Sequence, residues 1–371
     1  MGRRSARIAG ATWDEARDEL GHPPAHDRTT ATAARSVAAF DGHARSAGET
    51  QVTLGGAHIF AGLPRLGGVA AEHGNEENRH RRKEGEDIMS KVWFITGSSR
   101  GLGRNFVEAA LSRGDKVAAT ARNAGSLDDL VAAHGDAVLP LEMDVTDRAA
   151  VFDSVKRAKE HFGRLDVVVN NAGYAQIGAI EELTEQQLRD QMETNLFGAV
   201  WVIQAALPHL REQGAGHIIQ LSSAAGLFSM PLGGAYHASK WALEGLNDAL
   251  AQEVADFGIK VTIIEPGGFA TRSGKNPDVL NNGHLAETNP IYDGLRQRLA
   301  GFAGKQPAGD PVAAAQALLK IVDSDNPPLR VLFGLGFYPM LQQVYADRLK
   351  TWADWQDLSA EAHGNLDQED R

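Results

Sequence analysis

The sequence predicts a single α/β domain, from about residue 89 to 345, built on a doubly wound, seven-stranded parallel sheet of the Rossmann type. From Lys91 onward, short apolar runs alternate with segments whose apolar residues recur at helical spacing, which is typical of βαβ units. A glycine-rich turn follows the first of these runs directly. The predicted strands are residues 92–95, 116–120, 137–141, 165–169, 217–221, 259–264 and 329–333.

The composition limits the possible partners and chemistry. The 371-residue chain has a net charge of −11 and no Lys/Arg-rich run that recurs along one face, so we expect no nucleic-acid partner. Cysteine is absent, which excludes disulfides, thiolate nucleophiles and cysteine-ligated zinc, so redox chemistry would depend on a bound cofactor. We predict no metal site. No stretch reaches the ~20 apolar residues of a membrane span, and no export signal follows Met1, so we expect a cytoplasmic protein.

Three segments depart from the regular alternation. Residues 1–88 lack sustained apolar periodicity, and we expect a disordered tail because such a segment cannot bury enough apolar surface to offset chain entropy. Met89 lies just before the first strand and is a candidate true start; a regulatory or partner-binding tail is the alternative. Residues 269–311, rich in Gly, Asn and Pro, are expected to cover a substrate. Residues 346–371 are expected to form a C-terminal helix and a polar tail.

A glycine-rich turn connects the first strand to the first helix. Glycine lets the backbone turn tightly and lets a pyrophosphate approach the amides at the helix N-terminus. The position between strand and helix favours a nucleotide-binding turn over an ordinary glycine-rich turn. The turn reads Thr96-Gly97-Ser98-Ser99-Arg100-Gly101-Leu102-Gly103.

The pattern T-G-x-x-x-G-x-G resembles the turn of the short-chain dehydrogenase/reductase family. Four further blocks follow in the order of that family: Asp144-Val145-Thr146, Asn170-Asn171-Ala172-Gly173, Ser223 with Tyr236-His237-Ala238-Ser239-Lys240, and Pro266-Gly267. Together they resemble the single-domain members, and the run that begins at Tyr236 is most similar to 17β-hydroxysteroid and retinol dehydrogenases.

The resemblance implies a dinucleotide site. Asp144 would contact the adenine, and Thr271 would reach the nicotinamide carboxamide. Two alternatives stay open, since Asp144 and Thr146 could instead cap the next helix and Pro266-Gly267 could be only a turn. The expected cofactor-binding residues are Gly97, Ser99, Arg100, Gly101, Leu102, Gly103, Arg122, Asp144, Val145, Asn171, Ala172, Gly173, Tyr236, Lys240, Pro266, Gly267 and Thr271.

The end of the second strand predicts NADP(H) rather than NAD(H). NAD enzymes place a carboxylate there to bind the ribose 2′-hydroxyl. This chain has Thr120-Ala121-Arg122 instead, and a guanidinium suits the 2′-phosphate. Arg100, inside the glycine turn, would lie on the same side of the ribose. Either arginine could also be a solvated surface charge.

The expected catalytic residues are Asn195, Ser223, Tyr236 and Lys240. Tyr236 and Lys240 are four residues apart on a helix predicted over residues 235–257, so they share one face. The ammonium and an oxidised nicotinamide would favour the phenolate of Tyr236. Strand alternation favours Ser223 over Ser222 as the hydroxyl that holds the substrate oxygen. Asn195 lies on a helix predicted over residues 184–213. The resemblance implies that Asn195 binds a water molecule and completes a proton relay.

These features predict reversible hydride transfer between NADP(H) and a carbonyl or secondary alcohol of an apolar small molecule. Two alternatives stay open: a sugar-nucleotide epimerase or dehydratase, and an NADP(H)-sensing regulator or scaffold without turnover. We also expect a homodimer or homotetramer through the helices that carry Asn195 and Tyr236. The apolar residues after Asn195 favour that interface, although they could be ordinary core.

Overall fold

A parallel sheet forms the centre of the fold. The computed structural model describes residues 90–271, 284–303 and 308–364, and the expected tail 1–88 and Met89 lie outside them. The strands are β1 Val92–Ile95, β2 Lys116–Ala121, β3 Val138–Glu142, β4 Val167–Asn170, β5 Gln176–Ile177, β6 Gly216–Leu221, β7 Ile259–Pro266, β8 His284–Leu285 and β9 Arg330–Phe333. Seven of them pair in the order β3-β2-β1-β4-β6-β7-β9, all parallel. The predicted doubly wound sheet is confirmed.

Helices cover both faces of this sheet. They are α1 Gly101–Ser112, α2 Asp128–His134, α3 Arg148–Phe162, α4 Glu185–Met192, α5 Gly198–Gln213, α6 Gly234–Val254, α7 Asp293–Ala303, α8 Pro311–Val322, α9 Phe337–Asp354 and α10 Gln356–His363. Helices α1 and α8 pack on one face, and α3, α5 and α6 pack on the other.

The strands read as continuous apolar runs because both of their faces are buried. In β1, Trp93 and Ile95 belong to the core cluster beneath α1 and α8, whereas Val92 and Phe94 belong to the cluster beneath α3, α5 and α6. All four are almost completely buried. Burying such a side chain stabilises the fold by roughly 1.5–3 kcal/mol, so both helical layers depend on this strand.

The structure departs from the predicted elements in three places. Strand ends differ from the predictions by one or two residues. Strands β5 and β8 form a separate two-stranded sheet that no prediction included. Helix α9 runs without a break through residues 345 and 346, where the domain was expected to end. No helix among the described residues is long and apolar enough to cross a membrane.

The sheet order reverses between β1 and β4. The chain leaves β1 toward β2 on one side and leaves β4 toward β6 on the other. The crevice at the carboxyl ends of the strands around such a reversal is where open α/β sheets bind ligands. The glycine turn after β1 and the Asn-Asn-Ala-Gly block after β4 both lie at this edge.

Candidate active site

The glycine turn adopts a backbone that other residues would not tolerate. Gly97 and Gly101 have φ of +67° and +63°, in the left-handed region that favours glycine. A Cβ atom on Gly103 would lie 2.3 Å from Asn171 Nδ2 and 2.4 Å from the Gly97 carbonyl oxygen. The start of α1 therefore packs directly on the turn, and the glycines that the sequence predicted are required by this geometry.

Asn171 and Thr96 hold the turn against the end of β4. Asn171 Nδ2 donates to the carbonyl oxygens of Thr96 at 2.8 Å and Gly97 at 3.2 Å. In return, Thr96 Oγ1 accepts hydrogen bonds from the backbone N–H groups of Asn171 and Ala172, both at 3.0 Å. Thr96 is a residue that the site prediction missed, although it opens the quoted motif.

The N-terminus of α1 fits a pyrophosphate. Within the described residues, the N-cap Arg100 makes no side-chain cap hydrogen bond, and the first turn contains no acidic residue. Uncapped amides and the helix dipole favour an anion. Together with the glycines, which leave room for close approach, these groups match the phosphate cradle that the sequence predicted.

Two arginines lie beside this cradle. The Ser98 N–H donates to the Thr120 carbonyl oxygen at 2.9 Å, which places the glycine turn next to the end of β2 and Arg122. Arg100 and Arg122 are exposed, and neither forms an ion pair with a described residue. Arg104, by contrast, is held by Glu108 and Asp129. Arg100 and Arg122 thus remain available to a phosphate.

The Asp144-Val145 block lies at the end of β3. Asp144 is exposed, and its Oδ1 accepts from the Thr146 N–H at 2.9 Å and the Thr146 hydroxyl at 2.8 Å. The N-cap of α3 is Asp147, which accepts from the Ala150 N–H, so the alternative that Asp144 caps this helix is wrong. Val145 is buried against Gly198.

Ser223 lies against Tyr236. The Ser223 hydroxyl lowers the pKa of the neighbouring Tyr236 phenol, donates to the Pro266 carbonyl oxygen at 3.3 Å and accepts from the Ala225 N–H at 3.1 Å. The neighbouring Ser222 is buried beside Glu244 instead. The structure brings together the hydroxyl and phenol that the sequence paired, and it turns Ser222 away.

Lys240 lies one helical turn beyond Tyr236 and is buried. Its Nζ donates to the Leu221 carbonyl oxygen at 2.9 Å and lies 5.7 Å from the centroid of the Tyr236 ring. Burial lowers the pKa of Lys240 to about 8, against the opposing charge of Glu244. Burial also raises the pKa of Tyr236, which the nearby Ser223 hydroxyl opposes. Within the protein itself, burial therefore outweighs the groups that favour the phenolate, and the joint effect of the Lys240 ammonium and an oxidised nicotinamide stays a prediction.

Asn195 occupies a π-helical turn, Glu193–Phe197, between α4 and α5. Its Oδ1 accepts from the Tyr174 N–H at 3.0 Å, and its Nδ2 donates to the Tyr174 carbonyl oxygen at 2.9 Å and to Ser239 Oγ at 3.0 Å. A Cβ on Gly173 would lie 3.1 Å from Asn195 Oδ1 and 3.9 Å from Lys240 Nζ. Asn195 thus joins the block after β4 to the helix of Tyr236. π-Turns recur at functional sites because the extra residue redirects side chains.

The block after β7 closes the site on the other side. Thr271 lies near the glycine turn, since a Cβ on Gly101 would come within 3.7 Å of its side chain. A Cβ on Gly267 would lie 2.0 Å from the ring of Phe337, at the start of α9. Gly267 is therefore a close-packing position as well as part of a turn after Pro266, and the Phe337 contact could not be seen in the motif.

Two small apolar clusters flank the Tyr236 region. One contains Ile177, Ala179, Leu232 and Leu299, and the other contains Ala224, Phe228 and Leu341. Leu299 belongs to α7, so this part of the segment expected to cover a substrate packs beside the predicted site. The sequence did not identify these contacts, because they join residues far apart in the chain.

A comparison with known proteins agrees with this geometry. The sequence model described as short chain dehydrogenase matches residues 91–278. The oxidoreductase BOA17 of Botryotinia fuckeliana is 44% identical over 250 residues, covering 66% of this chain and 89% of its own. A 3-ketodihydrosphingosine reductase of Bacteroides thetaiotaomicron is 35% identical over 271 residues, covering 71% and 94%.

Solved structures show the same relationship. A short-chain dehydrogenase from Streptomyces avermitilis has 39% identity and a TM-score of 0.67, covering 73% of this chain and 98% of its own. One from Burkholderia cenocepacia, in complex with NADP, has 26% identity and a TM-score of 0.56, covering 71% and 97%. With its parallel sheet, glycine turn and Ser-Tyr-Lys cluster, the chain belongs to the short-chain dehydrogenase family of oxidoreductases.

Proposed function

We propose that this protein transfers a hydride reversibly between NADP(H) and the carbonyl or secondary alcohol of an apolar small molecule. The observation that carries the proposal is the Ser223, Tyr236 and Lys240 cluster at the same sheet edge as an uncapped, glycine-lined helix N-terminus. The Tyr236 phenol, which would transfer the proton, thus lies at the same edge of the sheet as the proposed dinucleotide site.

Each residue of the cluster has a separate task in this proposal. The bound nicotinamide supplies or accepts the hydride. Tyr236 gives a proton to the substrate oxygen or takes one from it, and Ser223 holds that oxygen beside the phenol. Lys240 supports the phenolate and the nicotinamide ribose, while Asn195 fixes the block after β4 against the helix of Tyr236. The cluster needs no metal ion for this proton transfer.

The preference for NADP(H) rests on the chain's own charges. Arg100 and Arg122 are exposed beside the glycine turn, and no described carboxylate pairs with either. A 2′-phosphate carries the charge that such guanidinium groups bind. The Burkholderia relative was solved with NADP, which supports the same choice. The other expected cofactor contacts come from Asp144 and Thr271.

The apolar character of the substrate rests on the two flanking clusters. Phe228 and Leu232 lie on the segment between Ser223 and Tyr236, so apolar side chains border the proposed reaction centre. The Bacteroides relative is named a 3-ketodihydrosphingosine reductase, and reduction of a keto group is the reaction proposed here.

The test is a turnover assay with purified full-length protein. NADPH oxidation is followed at 340 nm with 2-octanone, acetophenone, cyclohexanone and octanal, and NADP⁺ reduction with the matching secondary alcohols. We expect turnover of at least one long or aromatic carbonyl and none by Tyr236→Phe. NADPH binding without turnover of any compound would favour the alternative of an NADP(H)-sensing protein.

We also propose that the protein is a homodimer or homotetramer through the helices that carry Asn195 and Tyr236. Phe197, at the end of the π-turn, is 38% exposed and stacks on the Trp201 ring at 6.0 Å. Trp201 itself is half-buried and packs on the core, so the exposed Phe197 ring is the part suited to burial against a second copy. Light scattering of the full chain at micromolar concentration tests this, and a monomer would contradict it.

A further inference from the structure

His237 links two points of the segment that joins Ser223 to Tyr236. Its Nδ1 lies 2.8 Å from the Ala225 carbonyl oxygen, and its Nε2 lies 3.1 Å from the Met230 backbone nitrogen. The ring therefore bridges the two ends of the bend between Ala225 and Met230. His237 itself is the first residue after Tyr236 on α6.

The two contacts fix the protonation of the ring. A carbonyl oxygen only accepts and a backbone N–H only donates, so Nδ1 carries the proton and Nε2 is the acceptor. The residue is 5% exposed, and burial lowers the pKa of His237, which agrees with a neutral ring. Gly233 makes room for it, since a Cβ there would lie 2.8 Å from the ring. With both nitrogens engaged by backbone, His237 has no lone pair or proton to offer a substrate.

The bridged segment carries the apolar side chains that border the site. Phe228 packs with Phe337 and Leu341 on one side. Leu232 packs with the other cluster, and its carbonyl oxygen accepts from the Gly178 N–H at 2.8 Å. Among the described residues, Leu232 alone combines a side chain with a positive φ, of +63°. Such a conformation is strained for a residue with a side chain and persists only where the surroundings hold it.

We propose that His237 is a positioning residue for the substrate site. Through its bridge between Ala225 and Met230, it sets the shape of the apolar wall of that site, which Phe228 and Leu232 form. This rests on the proposed function, in which the Ser223 and Tyr236 side chains act on the substrate oxygen. The bridge anchors the wall to the helix of Tyr236. The position of the apolar side chains relative to the Tyr236 phenol is therefore fixed when the substrate binds. We expect loss of the bridge to act on substrate binding and to leave NADPH binding unchanged, because both hydrogen bonds of the His237 ring go to the bend between Ala225 and Met230 and none goes to the glycine turn.

The experiment compares His237→Phe, His237→Asn and His217→Phe in the full chain. Phenylalanine keeps the size of the ring and removes both hydrogen bonds. Asparagine places its amide near Nδ1 and can still donate to Ala225. His217 is a matched control: it is also 5% exposed and bonds Thr262 at 3.0 Å, but it lies at the amino end of β6, away from the site. Circular dichroism checks that each variant folds.

Two measurements test the bridge separately from turnover. Hydrogen exchange followed by mass spectrometry reports the backbone amides of residues 224–232. We expect exchange there to be about 10- to 100-fold faster in His237→Phe, intermediate in His237→Asn and unchanged in His217→Phe. If His237→Phe folds and its residues 224–232 exchange at the wild-type rate, the bridge hypothesis is refuted, whether or not any carbonyl is turned over.

The kinetic measurement uses the carbonyl with the highest wild-type kcat/KM among 2-octanone, acetophenone, cyclohexanone and octanal. We expect His237→Phe to raise KM about 10-fold or more, with kcat changed less than KM and the NADPH Kd within about twofold. His237→Asn should recover part of the KM. If His237→Phe instead lowers kcat and kcat/KM by the same factor and leaves KM unchanged, His237 does not position the apolar wall. Absence of wild-type turnover would instead refute the proposed function, and the exchange result would still decide the bridge.

Discussion

The substitution Gly103→Ala tests the packing of the glycine turn. The added methyl group would lie 2.3 Å from Asn171 Nδ2 and 2.4 Å from the Gly97 carbonyl oxygen, more than 1 Å inside ordinary contact distance. The Gly97 contact is a backbone oxygen and not the end of a flexible side chain, so it cannot rotate away. The start of α1 must therefore shift. The same shift strains the hydrogen bonds that Asn171 donates to Thr96 and Gly97.

The expected magnitude follows from these contacts. Overpacking costs typically 1–3 kcal/mol, and weakening one or two hydrogen bonds adds about 1 kcal/mol each. We therefore expect a loss of about 2–5 kcal/mol, which lowers Tm by on the order of 10 °C in a domain of this size. Since the displaced amides belong to the phosphate cradle, NADPH affinity should fall by at least tenfold.

The assay is thermal unfolding together with NADPH titration by fluorescence. The matched control is Gly245→Ala, the same change on a face of α6 that is exposed in a single subunit, where a Cβ meets no atom of that subunit within 4 Å. That variant should be neutral or stabilised by up to about 1 kcal/mol, because alanine is the better helix former. A Gly103→Ala protein with wild-type Tm and wild-type NADPH affinity would refute the packing argument.

Three further predictions concern the cluster and the cofactor. Tyr236→Phe should abolish detectable turnover and leave the NADPH Kd within about threefold, whereas Lys240→Ala should weaken both; wild-type rates for Tyr236→Phe would contradict the mechanism. Arg122→Asp should lower the ratio of kcat/KM with NADPH to kcat/KM with NADH by at least tenfold, because a carboxylate repels the 2′-phosphate. An unchanged ratio would show that Arg122 does not bind the 2′-phosphate. The pKa of Lys240, lowered to about 8 by burial, means that the folded protein releases this proton before the unfolded chain does. Stability should therefore rise between about pH 8 and 10 by more in the wild type than in Lys240→Met, as measured by urea unfolding, and parallel curves would contradict the lowered pKa.

The local sequence determines the elements that depend on near neighbours. The central strands could be predicted because they are short apolar runs buried on both faces, as in β1. Gly97 and Gly101 could be predicted because their left-handed backbone conformation itself needs glycine. Tyr236 and Lys240 could be paired because four residues make one helical turn. In each case the physical requirement acts within about eight residues of chain.

Other features were decided by contacts between distant residues. The pairing of β5 with β8 joins Gln176 to His284, and two residues are too few to give a strand signal in the sequence. The direction of the Tyr236 pKa follows from burial, which depends on everything packed around the phenol.

The same reason separates the two kinds of site residue. The sequence identified groups whose chemistry is visible in their type and spacing, such as Ser223, Tyr236 and Lys240. It could not assign Thr96 to the anchor of the turn or His237 to the bridge of the apolar wall, because these roles depend on which backbone atoms come within hydrogen-bond distance. Spacing along the chain was enough to predict the reacting groups, and only the tertiary structure decided which contacts hold those residues in place.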